Sequence, residues 1–563
     1  MEVREWLLDE IIKLGVEYTF LVPGMEIDPL CAAMGAHPKL KYIVACHEEG
    51  AGFMADGYSR VKNQIGLCMA IGAPGAANTI PAILNANADC SKVLYLTGGS
   101  PTEEAGRATF QNSAKGGTND SEIISLAARY SQICDLPQLV PLIWRNAIKA
   151  IESDVPGPAH ITIPQDLQTQ EMKVPELPQD YSFKLKKSRV VDLAGLETLI
   201  ETYLKRKSKI LLLIGRGAEI SNAAGEILTF IEKYNIPFSE SMGGKGILPE
   251  THPLYIGLLG YAGLGRVSYA CHKRALDAVL SPDLDVVINV GSSLSFFMAL
   301  YRDKKLKPSA ELVQLDLAPE ALGRDYPVDL EIQGDAKACM AHINNQTISE
   351  LAQTAQERSK WIEEIKKQPL FYQEERMETL SSPIDPAYLL HSMNKAMPDN
   401  TILFIDTGVH SPIAGHYWIC GEGGSTVYPS NLGPMGFSIP GCIGGKLAAP
   451  DQTVVAIAGD GCMRMHGIEI MTAVHYNIHV IIIVSNNSAL GKVYVRAKNA
   501  NETAKDITLL STANWADFAK SLGADGIRVE DPADLPAAYE RALAAKGPFV
   551  IDVLTDKDIP PIL

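Results

Sequence analysis

Short apolar runs punctuate the first 170 residues, and each ends in a turn rich in glycine, proline or polar residues: VEYTFLVPG, YIVACH, LCMAIGAPG and VLYLTGG. Stretches with helical periodicity alternate with them. Strands alternating with helices predict a parallel sheet covered on both faces. The segment TQEMKVPELPQDYSFKLKKS then loses periodicity and gains proline and charge, which marks a linker. A second α/β unit carries the strands KILLLIG, DVVINVG and ELVQLDL, and a polar helix, SELAQTAQERSKWIEEIKKQ, bridges to a third. The expected fold class is α/β with three domains, each an open parallel sheet with helices on both faces. They are expected over residues 1–170, 190–345 and 375–563.

The first and third units end alike. PLIWRNAIKAIESDVPGPAHITIPQD closes the first and LPAAYERALAAKGPFVIDVLTD the third. Each is an amphipathic helix, a Gly-Pro turn, a β-rich strand and a terminal Asp. Any αβ unit can look like this; an internal duplication would instead give two similar domains facing a shared site.

Composition narrows the function classes. At 563 residues the chain is too long for one core. A formal net charge of −16 argues against nucleic acid, which needs clustered Lys and Arg. No apolar run approaches a membrane span, and MEVREWLLDEIIKLG is charged throughout, unlike a signal peptide. Ten cysteines without a CxxC pair argue against a disulfide framework or structural zinc. A cytoplasmic protein with reduced thiols is expected.

The chemistry concentrates in AGDGCMRMHGIEIMTAVHYNIHVIIIVSNN, residues 458–487. VVAIAGDG reads as a buried strand ending in a turn that enters a helix. Ligands of open α/β sheets bind beyond the carboxyl ends of the strands, and a helix start favours phosphate. Two phosphates crowd negative charge there, and Mg²⁺ would neutralise it through oxygen ligands. Asp460 offers a carboxylate at one strand end and Asn487, 27 positions on, an amide oxygen at the next. Taken alone, the pair would serve equally as helix cap and turn residue.

This spacing of GDG and NN resembles the thiamine diphosphate (ThDP) motif. YPSNLGPMGFSIPGCIGGKLAAPDQTVVAIAGDG and HEEGAGFMADGYSR resemble the acetolactate synthase, pyruvate oxidase and benzoylformate decarboxylase superfamily, and the likeness spans essentially the whole chain. It implies a pyrimidine-binding domain, a central domain and a diphosphate-binding domain, in that order. The cofactor would act as electron sink. Glu48 matches the catalytic carboxyl that hydrogen-bonds a pyrimidine nitrogen, which calls for a dry setting; a bare helix-end charge is the plain alternative. Met435 matches the apolar prop under the bent cofactor, and Gly433 the carbonyl that accepts from its amino group. Gly408, Val409 and His410, with Gly461 and Cys462, match turns that reach the diphosphate. The implied Mg²⁺ ligands are Asp460, Asn487 and the backbone oxygen of Ala489. His466, His475 and His479 read as surface or packing residues. Because related enzymes seat the Glu on one subunit and the diphosphate on another, the resemblance implies at least a homodimer and points to a homotetramer.

The substrate pocket is expected at Met25, Phe110, Gln111, Lys492 and Arg496. Met25 and Gly72 stand where simple decarboxylases carry Ser and His, whereas AIGAPGAAN and ATFQN resemble the synthase pattern. The expected function is a ThDP- and Mg-dependent carboligase that decarboxylates a 2-oxo acid and transfers the activated aldehyde to a second carbonyl. The alternatives are a 2-oxo acid decarboxylase, an acyl-CoA lyase of the same superfamily, or an inactive relative. Lys492 and Arg496 depart from the Met and Trp of synthases; as cations they fit an anionic substrate group, and the alternative is that both are simply solvated. FAD stays open: LLLIGRGAEIS carries only a lone GxG, and NVGSSLSFFMA lacks the arginine that synthases place there.

Overall fold

A computed structural model describes residues 1–114, 116–173, 190–260, 272–295, 310–500 and 502–558. Most of the expected linker, and part of NVGSSLSFFMA, lie outside the described residues.

Three six-stranded parallel sheets follow one another. The first contains β1 (Tyr18–Leu21), β2 (Lys41–Val44), β3 (Gly66–Ala70), β4 (Val93–Gly99), β5 (Tyr130–Ile133) and β6 (Ala159–Pro164). The second contains β7 (Ile210–Ile214), β8 (Phe238–Glu240), β9 (Tyr255–Leu258), β10 (Val286–Val290), β11 (Glu311–Asp316) and β12 (Leu330–Gln333). The third contains β13 (Ile402–Ile405), β14 (Ser425–Val427), β15 (Val454–Gly459), β16 (Ile481–Asn486), β17 (Asp525–Val529) and β18 (Phe549–Leu554). The central strands are continuous apolar runs because helices cover both faces.

The first and third units, whose ends match in sequence, also share one sheet order. The first sheet runs β2-β1-β3-β4-β6-β5 and the third β14-β13-β15-β16-β18-β17, the same permutation. The central sheet runs β12-β11-β10-β7-β8-β9, a different one. The expected polar bridge is two helices, Ser349–Gln353 and Ala355–Lys366, interrupted at Thr354.

The first and third units share a core. Phe53 and Tyr58 from the helix Glu48–Lys62 belong to one apolar cluster with Phe404, Phe437 and Ile443. That helix crosses Ser438–Ala448 at glycines: a Cβ on Gly57 would run into the Gly441 carbonyl, and one on Gly444 into that of Met54. This close crossing brings the start of the first helix, with Glu48, against the third unit.

Candidate active site

Three strands of the third sheet end side by side. β13 delivers Gly408, Val409 and His410, β15 delivers Asp460, Gly461 and Cys462, and β16 delivers Asn487 and Ala489. Packing draws the three turns together. Positions for a Cβ on Gly459 lie 3.2 Å from the His410 ring, and those on Gly491 lie 2.7 Å from Asn487 Nδ2 and 2.8 Å from Val409 Cγ1. Ser488 takes a left-handed φ of 54°, and Asn487 Oδ1 accepts from the Ala489 N–H at 3.1 Å, which tightens the last turn.

This cradle holds unspent polar groups. Asp460 Oδ2 and His410 Nε2 are buried without a hydrogen-bond partner. Burial raises the Asp460 carboxyl to about 6, against the lowering effect of the Gly461 N–H. Burial also takes the His410 imidazole down to about 4, opposed by Asp406. Buried polar atoms are normally paired, so two orphans on adjacent strand ends mark a place for a ligand. A diphosphate with a divalent cation fits them: oxygen donors for the ion, and a helix start at Asp460 for the anion.

Met435 reaches this cradle. A Cβ on Gly461 would lie 2.9 Å from Met435 Cε and 3.1 Å from Leu490 Cδ2, so the side chain lies against the turn after β15. Gly433, at φ 69°, turns the chain just before it. Cys462 is buried; its thiol points to the Thr407 carbonyl at 3.4 Å, and burial drives its pKa up. It is therefore an inert packing thiol.

Glu48 opens the helix Glu48–Lys62, and its Oε2 accepts from Asn78 Nδ2 at 3.0 Å. It is half-buried rather than enclosed in the dry setting expected of it. Among the described residues no hydrogen bond or ion pair joins it to His410, Asp460 or Asn487. Met25 and Phe110 are exposed, and Gln111 is half-buried at φ 52°. They occupy the carboxyl end of the first sheet, whereas Lys492 and Arg496 lie on the helix Gly491–Ala500 beside the cradle. Lys492 is half-buried, and burial, then the Arg496 charge, lower its pKa; Arg496 is exposed. The expected pocket residues thus form two groups on different domains of one chain.

His466 is indeed buried, packed edge-on to Phe53 at 5.5 Å, whereas His475 is exposed and His479 half-buried. His466 Nε2 also lies 3.6 Å from Glu49 Oε2, with His47 nearby. The His47 Nδ1 accepts from the Glu49 N–H at 3.1 Å. In a neutral ring its proton is then on Nε2, which leaves no lone pair there for a metal.

Three residues escape the sequence reading. Asp406, at the end of β13, is fully buried and accepts from the N–H groups of Thr407, Gly436 and Ser438 and the Ser438 hydroxyl, at 2.7–2.9 Å. It ties the turn after β13 to the loop of Met435, and its setting in FIDTG is the same strand-end signal as Asp460. Glu469, also buried, accepts from the N–H groups of Cys46 and His47 at 3.1 Å and so holds the start of the Glu48 helix. Its clue is an acid among isoleucines in GIEIM. Glu26 is buried beside Met25 and accepts from the Gly72 N–H; burial raises its carboxyl to about 7.

The architecture and cradle define a class: a three-domain α/β enzyme that binds a phosphate-bearing cofactor beyond the carboxyl ends of its third sheet. Family profiles specify it. "Thiamine pyrophosphate enzyme, N-terminal TPP binding domain" matches residues 1–119, the "central domain" 198–343 and the "C-terminal TPP binding domain" 406–553. The chain belongs to the thiamine pyrophosphate enzymes. It is 28% identical to a probable acetolactate synthase large subunit of Methanococcus aeolicus, over 99% of this chain and 92% of that one. It is 27% identical to the putative acetolactate synthase large subunit IlvB2 of Mycobacterium tuberculosis, over 99% and 98%. It is 26% identical to the putative thiamine pyrophosphate-containing protein YdaP of Bacillus subtilis, over 97% and 90%. Among the described residues no helix is long and apolar enough to cross a membrane.

Proposed function

We propose that this ThDP enzyme is a carboligase of the acetolactate synthase type, decarboxylating a 2-oxo acid and joining the remaining aldehyde unit to a second carbonyl. The observation that carries the reading is the three-turn cradle with its two orphaned atoms, in a chain similar along its length to acetolactate synthase large subunits. When bound, ThDP supplies the electron sink for breaking and making bonds next to a carbonyl. Asp460, Asn487 and the Ala489 carbonyl would hold Mg²⁺ and so seat the diphosphate. Gly408, Val409, His410, Gly461 and Cys462 shape its walls, while Met435 and Gly433 support the rest of the cofactor. Glu48 would hold and move a proton at its carboxyl beside the pyrimidine ring.

The active unit is at least a dimer. Glu48 is only half-buried, and Met465, Ile468 and Met471 expose apolar side chains on the segment after Asp460. A second chain that covers both would dry the Glu48 site and unite the two groups of pocket residues; a tetramer would pair such dimers. Lys492 and Arg496 then present positive charge to a substrate that carries an anionic group.

A cavity of about 350 Å³ opens at the carboxyl ends of the central sheet, lined by Arg216, Ser292, Asp316 and Arg324 among others. Its acids and arginines suit the ribose and phosphates of a nucleotide, and we assign to it whatever flavin or other nucleotide the enzyme carries. Extraction of the purified enzyme and absorbance at flavin wavelengths tests this.

The deciding experiment incubates the enzyme with ThDP, Mg²⁺ and a panel of 2-oxo acids and reads products by mass spectrometry. A C–C-linked hydroxyketone supports the carboligase. Free aldehyde alone overturns it in favour of a simple decarboxylase, and acyl-CoA cleavage in favour of a lyase.

A further inference from the structure

The loop that carries Gly433 and Met435 is anchored at both ends by buried carboxylates. Asp406 takes the Gly436 and Ser438 amides on one side. On the other side the anchor comes from the first domain. Asp89 follows the helix Pro74–Ala88 and is 1% exposed. Its Oδ1 accepts from Asn431 N at 3.1 Å and Asn431 Nδ2 at 2.9 Å. Its Oδ2 accepts from Ser430 N at 3.1 Å and Arg60 Nη1 at 3.2 Å. Arg60, also buried, donates to the Tyr428 carbonyl at 2.7 Å, and Arg216 of the central domain donates to the Asp89 carbonyl at 2.9 Å. One carboxylate thus meets the amides of two consecutive loop residues, and only Leu432, Gly433 and Pro434 separate them from Met435.

We propose that Asp89 is a positioning residue that sets the height of Met435 against the cofactor by fixing the Ser430–Asn431 amides. The inference rests on the reading of Met435 as the prop. The carboxylate is suited to this because both oxygens accept and its side chain is closed off from solvent. An amide in its place keeps the volume but turns one acceptor into a donor facing N–H groups, so one loop amide loses its partner. Removing Asp89 also takes from Arg60 its paired carboxylate, leaving only Asp56 and Glu219 to favour its charge, which pushes the loop to rearrange.

The test is a double-mutant cycle on ThDP affinity in the presence of Mg²⁺, with Asp89→Asn, Met435→Ala and both. Residues acting through one element give non-additive effects. Asp89→Asn is expected to weaken ThDP by about tenfold in the wild-type background and by less than about threefold once Met435 is gone. In the cofactor-free protein, amide hydrogen exchange at residues 430–436 is expected to rise. Additive losses, or a lower melting temperature with unchanged ThDP affinity, overturn the inference and leave Asp89 purely structural. A Met435→Ala variant that binds ThDP like wild type instead removes the Met435 reading, and this inference with it. If Asp89→Asn does not fold, Asn431→Ala replaces it in the same cycle: it deletes the side-chain bonds to Asp89 and the Ala88 carbonyl while sparing the Arg60 pair.

Discussion

Asp460 and Asn487 extend two adjacent parallel strands whose last paired residues are Gly459 and Ser485. Their separation in sequence is therefore the length of one strand–helix–strand return. Both are buried, and Asp460 keeps one oxygen unpartnered.

That geometry predicts the effect of Asp460→Ala. The variant removes a carboxylate from the proposed Mg²⁺ shell and leaves the diphosphate poorly neutralised. ThDP affinity measured by calorimetry with Mg²⁺ is expected to fall at least tenfold, about 1.4 kcal/mol. Affinity equal to wild type would remove the metal assignment.

Glu48→Gln separates holding from proton transfer. Gln keeps the size and a hydrogen-bonding end but cannot exchange a proton. ThDP affinity is expected to change only slightly, while turnover falls on the order of 10²-fold. If turnover survives, Glu48 is a helix-end charge and the group exchanging the proton lies elsewhere.

The sheets and the cradle were legible because they depend on local pattern. Buried parallel strands such as VVAIAGDG must be apolar throughout, and their ends must turn at small or polar residues. The short edge strands were quieter: β5 exposes part of every side chain and lacks an apolar run. The targets of Asp89 and Glu469 were illegible for a different reason. Each carboxylate works on backbone N–H groups more than 300 positions away, and amides carry no sequence signature. The two-group layout of the pocket also depends on how domains pack, which periodicity does not encode. Glu48 shows the boundary: its place at a helix start follows from the sequence, but its half-buried state depends on what packs around it.

Arg496→Trp tests the substrate reading. Arg496 is exposed on the helix beside the cradle and close enough to lower the Lys492 pKa. If the pair meets an anionic substrate, a flat apolar side chain shifts preference toward neutral or 2-oxobutyrate-like acceptors. Competition assays with paired acceptors measure the ratio. An unchanged ratio returns Arg496 to the solvated surface.

Glu26 predicts a pH dependence of stability. Its carboxyl is raised from 4.5 to about 7, chiefly by burial, with the Gly72 N–H opposing and Asp120 reinforcing. Between these two values the folded chain holds a proton that the unfolded chain has released. Stability from this group is therefore complete below 4.5 and is lost as pH rises through about 7. Gln keeps an acceptor for the Gly72 N–H and does not titrate. Glu26→Gln is expected to melt progressively higher relative to wild type as pH rises across that window, with the gain levelling off once the wild-type carboxyl is fully ionised. Other acids raised by burial, such as Glu240 beside Glu250, are present in both proteins and cancel in the difference. Thermal melts of both proteins at matched ionic strength decide it. Parallel curves of melting temperature against pH would mean that the Glu26 carboxyl is already ionised in the folded chain, held by its Gly72 and Ser100 donors despite its burial.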